Sequence, residues 1–160
     1  MKRAIRTLLS VALAVSLLSA AAPARDAAAS GDRNQQLIDG FNGIRGLYGL
    51  GWVGSDQCAQ LVAQHRAWDM ANRGYFSHVT PEGQSVFDLL NAYGCAWRGA
   101  GEVLALNGSA YDGAMWTALD QFSASPAHLG IIIGDYTVVG AAIATDAWGT
   151  NYAVGIFVLR

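Results

Sequence analysis

The sequence predicts an α+β fold, with helices through the first two thirds and an antiparallel sheet at the end. Two observations carry this. Apolar residues recur at helical spacing in four segments between residues 35 and 122. From Ile131 the pattern changes: 136–145 and 151–159 are rich in β-branched and aromatic residues, and Asp146-Ala147-Trp148-Gly149-Thr150 lies between them. That is the pattern of a β-hairpin.

In chain order, Lys2, Arg3 and Arg6 precede an almost wholly apolar run from Leu8 to Ala20, followed by Ala22-Pro23-Ala24. This is the pattern of a secretory signal peptide cut near Ala24. The run falls short of the roughly 20 apolar residues of a bilayer span. Residues 25–34 are small and polar and read as a flexible leader, leaving 35–160 as one domain. Leu37, Ile38, Phe41 and Ile44 define a first helix despite Gly40 and Gly43. Each interior glycine costs about 1 kcal/mol relative to alanine, so this helix depends on packing. Residues 46–54 carry four glycines and read as a loop with Trp52 as anchor.

Ser55 is the expected N-cap of a second helix that runs to Arg73. Gly74 stops it, so Tyr75 and Phe76 are expected to bury while Ser77 and His78 turn outward. Pro81 and Gly83 mark a turn, Ser85 caps a short helix, and Gly94 ends it. Residues 95–106 read as an irregular strand or loop, 110–122 as a helix, and Ser125-Pro126 as its end.

Loss of residues 1–24 leaves seven basic residues, all arginine, against 12 acidic ones, a formal charge of −5. Such a surface repels phosphate backbones, which disfavours nucleic acid, and it offers no basic patch to anionic lipid. Cys58 and Cys95 are the only cysteines. In an exported chain an even pair reads as a disulfide; the alternatives are buried free thiols or a chance metal pair.

The chain has three histidines. His65 lies mid-helix among apolar residues and reads as a packed or surface side chain. His78 follows a helix stop and His128 a proline break; both are candidates for a cleft edge, with an ordinary surface role as the plain alternative. Glu102 lies between Gly101 and the apolar run 103–106, where a carboxylate is costly to bury unless it is paired. Two imidazoles and a carboxylate suit zinc or another divalent ion with a position open to water, and equally suit a hydrogen-bonded polar cluster.

Five segments in order resemble one family: Asn42 to Arg45 with Gly49 to Trp52, Asp69 to His78 (D-M-A-N-R-G-Y-F-S-H), Thr80 to Asp88, Arg98 to Glu102, and Ser125 to His128. The chain from about Leu37 to Leu159 is thereby similar to the CAP superfamily, also called SCP/PR-1-like, in its short secreted bacterial form. The resemblance implies a three-layer α-β-α sandwich around a central antiparallel sheet. It also implies a cleft carrying His78, Glu102 and His128, with the histidines as ligands for a divalent metal. Val103 stands where the family usually has asparagine, and Phe122 where it has tryptophan. A second cleft glutamate has no clear equivalent; Asp120 is the nearest candidate.

The function expected is that of a secreted or periplasmic domain whose cleft binds a divalent metal or small ligand through His78, Glu102 and His128. Two alternatives are a metal-dependent hydrolase with Glu102 as general base and a lipid- or sterol-binding protein. Partners in the extracellular space or envelope are expected, and no integral membrane segment after signal cleavage.

Overall fold

The computed structural model describes residues 24–110 and 113–160, and side chains from residue 33 onward. The signal-peptide reading falls on residues outside the described ones, apart from Ala24. Helix α1 spans Ala24–Leu47 and so takes in the stretch read as a flexible leader. Ala27, Ala28 and Ala29 have the highest helix propensity of any residue type, which the reading by polarity overlooked.

The other elements are β1 (Gly54–Ser55), α2 (Gln57–Arg73), α3 (Val86–Ala92), β2 (Gly99–Asn107), α4 (Ala114–Ala124), α5 (Pro126–Ile132), β3 (Val138–Thr145) and β4 (Asn151–Leu159). The sheet order is β1-β3-β4-β2. The β3–β4 hairpin and the β2–β4 pair are antiparallel, while the two-residue β1 joins β3 in parallel. β1 lies in the stretch expected to be only a loop.

Strand side chains alternate between two cores, as the pleat requires. Val103, Ala105, Val139, Ala141, Ile143, Ala153 and Phe157 face α1, α4 and α5, where Phe41 and Phe122 complete the packing. Leu104, Ala142, Val154, Ile156 and Val158 face α2 and α3. The result is the three-layer α-β-α sandwich. Helix α2 lies so close to β3 that a Cβ on Gly140 would sit 2.2 Å from the backbone carbon of Ala59 and nitrogen of Gln60.

Helix caps explain most boundaries. Asp56, rather than Ser55, caps α2: its carboxylate accepts from the Ala59 amide, while Ser55 is drawn into β1. Ser85 and Asp88 form a reciprocal capping box on α3. Ser125 both ends α4 and caps α5, whose Pro126 occupies the first turn, where a missing N–H costs nothing. Ser125-Pro126 is therefore a helix start as well as the expected helix stop. Cys58 and Cys95 are bonded, with Cα atoms 5.6 Å apart, and tie the start of α2 to the segment after α3.

Candidate functional site

Arg66 organises the site. It sits on α2 four residues after Val62 and four before Met70, both fully buried, and is itself 0% exposed. A guanidinium there must find partners. Its Nε donates to Glu102 Oε1 at 2.9 Å, and its two terminal nitrogens donate to the Tyr75 hydroxyl at 2.9 Å and the Ser77 carbonyl at 2.5 Å. One side chain thus joins α2, strand β2 and the segment that carries His78.

That segment leaves α2 through Gly74, which adopts the left-handed conformation (φ 66°) and lets the Gly74 and Tyr75 amides close on the Met70 carbonyl. Tyr75 is half-buried, and its hydroxyl donates to Asp69 at 2.5 Å. Burial, then the bond to Asp69, pushes the phenol up to about 12. Phe76 does not bury as expected; it is 46% exposed, because Arg66 draws in the backbone at Ser77 and leaves this ring outside. The following turn is clamped by Arg73, which donates to both oxygens of Glu82 and holds that carboxyl down at about 2.

His78 and Glu102 meet directly, Nδ1 to Oε2 at 2.7 Å. The imidazole is 58% exposed and the carboxylate 3%, so the pair joins a solvent-facing ring to a buried anchor. His128 reaches the same cleft from α5. Its amide donates to Ser125 Oγ, and its ring stands edge-on to Phe122 with centroids 5.5 Å apart. Burial, and secondarily the charge of His78, lowers its pKa below the usual 6.5. The imidazole is therefore neutral at pH 7, with a lone pair to offer. His78, Glu102 and His128 all line one cavity of about 520 Å³, together with the apolar side chains of Val79, Phe87, Ile131 and Tyr136.

Among the described residues no group of three or more His, Cys, Asp or Glu side chains is arranged to hold a metal ion. Both Glu102 oxygens are engaged, by Arg66 and by His78. The donor set therefore suits two imidazoles with Glu102 behind His78 as an orienting partner, rather than a cage of three protein ligands. Asp120 lines a different groove, between α1 and α4, and supplies no second carboxylate to the cleft. Val103 points into the core on the other face of β2 from Glu102. His65 does not line the cleft, and its ring bonds the Tyr93 hydroxyl at 3.0 Å.

Arg66 is the functional residue that sequence reasoning missed. The signal was present: an arginine at i+4 from Val62 and i−4 from Met70 lies on the apolar stripe of α2, where only a paired charge is tolerated.

A model of the CAP family, described as the cysteine-rich secretory protein family, matches residues 38–158. The chain belongs to this family. Solved structures similar to this CAP domain include an extracellular SCP-domain protein of Bacillus anthracis, at 23% identity and TM-score 0.76 over 88% of this chain and 44% of that one. An outer surface protein of Borrelia burgdorferi is similar at 17% identity and TM-score 0.70, over 79% of this chain and 91% of that one. A cysteine-rich secretory protein of Staphylococcus aureus matches at 14% identity and TM-score 0.64, covering 82% of this chain and 40% of its own. The CAP domain thus spans less than half the length of the Bacillus and Staphylococcus proteins. At these identities the likeness is one of fold. Comparison with curated protein sequences gives no significant match. No described helix of the CAP domain is long and apolar enough to cross a membrane.

Proposed function

We propose that this is an extracellular or periplasmic CAP domain whose cleft takes a divalent cation or a small ligand between His78 and His128, with Glu102 orienting His78. The observation that carries the reading is the 2.7 Å contact of Glu102 with His78 Nδ1, which turns Nε2 into the ring's remaining ligating atom. The lowered pKa of His128 adds a second neutral imidazole at pH 7. A divalent ion such as zinc, when bound, would supply Lewis-acid chemistry; the two histidines would hold it, and Arg66 would keep Glu102 aimed at His78. Hydrolysis with Glu102 as general base is not part of the proposal, since both carboxylate oxygens are already engaged. The extracellular assignment rests on the signal-like N-terminus, the disulfide, and the extracellular or surface proteins to which the fold is similar.

Zinc titration by calorimetry tests the site, with wild type beside His78→Ala and His128→Ala. At least a tenfold weaker affinity is expected in each variant; equal affinity in all three proteins would overturn the metal reading. A second reading is favoured by the α1–α4 groove of about 480 Å³, lined by Ile44, Met115, Trp116 and Leu119. It suits an apolar ligand such as a lipid chain. Native mass spectrometry of the secreted protein would reveal co-purified lipid, and Leu119→Asp should abolish it.

A further inference from the structure

The two edges of the sheet are treated differently. Backbone groups on successive strand residues point to opposite sides. On β3 the residues that point outward from Val139 to Ile143 are Val139, Ala141 and Ile143, and each finds a partner there. The Val139 carbonyl accepts from the Asp56 amide, the Gln60 side chain bonds both the nitrogen and the oxygen of Ala141, and Asn34 accepts from Ile143. This edge is bonded from Val139 as far as the Ile143 amide.

On β2 the direction is fixed by three contacts. The Leu159 carbonyl of β4 turns to Arg98, the Val158 carbonyl turns away to Thr137, and Gln121 reaches around the edge to the Leu106 carbonyl. Leu159 faces Gly99 and Phe157 faces Gly101 in the ladder. Gly99, Gly101 and Val103 therefore bond β4, and the amides and carbonyls of Ala100 and Glu102 point to the free edge. Among the described residues no protein hydrogen bond closes on them there.

This open stretch is where the cleft lies. Ala100, Gly101 and Glu102 line it, with His78 reached from the α2 face of the sheet and His128 from the α5 face. The edge of β2 is its floor and the two imidazoles stand on either side. Val79 and Phe87 supply an apolar wall on one side, Ile131 and Tyr136 on the other. No lysine or arginine lines the cleft, and Glu102 is paired with Arg66, so nothing in it selects a phosphate or sulfate.

We infer that the cleft accepts an extended peptide, which adds to the sheet as a short strand on Ala100 and Glu102. Its alternating uncharged side chains contact the two apolar walls and its main chain passes between His78 and His128. A polypeptide is the ligand whose donors and acceptors alternate with the spacing of the unbonded, outward-pointing β2 groups. A volume of about 520 Å³ suits a segment of a few residues. The inference deepens the proposed cleft by naming what fills it, and it rests on the cleft being a binding site.

The test is an array of capped hexapeptides of uncharged residues, probed with the full secreted protein in EDTA and again with zinc, followed by an N-methyl scan of the strongest binder. Methylation at alternate amides, those that face β2, should weaken binding about tenfold each, and methylation between them by less than twofold. Ala100→Pro removes an outward N–H that bonds no other strand, at the cost of fixing φ there, and should weaken the same peptide by a similar factor, with thermal melting reporting whether the variant folds. Absence of any binder at millimolar peptide, uniform tolerance of N-methylation, or edge-to-edge dimerisation of the protein would each overturn strand addition. If zinc binding still depends on His78 in that case, the cleft reading stands without it. Peptide binding that follows the methylation pattern, with no His78-dependent zinc binding, would support strand addition and remove the metal.

Discussion

Arg66→Met isolates the contact on which the site is built. The wild-type side chain is fully buried and donates to Glu102, Tyr75 and Ser77. Methionine fills a similar volume and leaves the 3%-exposed Glu102 carboxylate with only His78 beside it. Breaking a buried pair from one side costs about 3–5 kcal/mol, chiefly the penalty of the stranded charge. With a urea dependence of about 2 kcal/mol per molar, the denaturation midpoint should fall by about 2 M. Arg66→Met with Glu102→Leu removes both charges. Ser77 is exposed and Tyr75 half-exposed, so water replaces their lost donor. The double variant should therefore recover to within about 2 kcal/mol of wild type. Equilibrium urea unfolding of the three proteins decides. A loss below 1 kcal/mol in Arg66→Met, or a double variant no more stable than the single, would refute the ion-pair argument.

Three further outcomes are expected. Reducing the Cys58–Cys95 bond, which closes a separation of 37 residues, should cost about 4 kcal/mol, read as a midpoint shift with and without reductant. Because the folded pKa of His128 is lowered, the unfolded chain takes up the proton first. The contribution is present above pH 6.5 and is lost as pH falls from 6.5 through the folded value; NMR titration should place His128 below the usual histidine, and His128→Gln should flatten that slope. Gly140→Ala should destabilise by about 3 kcal/mol by driving α2 from β3, whereas Gly43→Ala, with open space around it, should stabilise α1 by about 1 kcal/mol; thermal melts compare them.

Much of the fold was legible because its signals are local. Ser85 and Gly74 act within one turn, and the alternation of 136–145 and 151–159 records the two faces of a central hairpin. What was missed depends on distant partners. Ser55 has the chemistry of a cap, but pairing of β1 with Val138 and Val139 takes it and leaves Asp56 to cap α2. Phe76 has the composition of a core residue, but Arg66 fixes the backbone beside it and turns it outward. In the candidate site, His78 and Glu102 were named from sequence and do meet, and His128 shares their cavity. Their common anchor was not seen, since an arginine among apolar helix positions does not say which carboxylate, 36 residues on, it will pair with.

β4 holds the last strand of the sequence and a central place in the sheet, between β3 and β2. Among the described residues strand β2 pairs with no strand but β4. A ribosome or export channel that delivers the chain N-terminus first therefore releases Glu102 long before the nine residues of Asn151–Leu159 that will hold its strand. Until then Arg66 and Glu102 have no sheet to fix their separation, and the cleft has no floor. The arrangement makes the site a late product of folding, with long-range pairing as its slow step. A chain cut short before Asn151 would carry every residue of the site and none of its geometry.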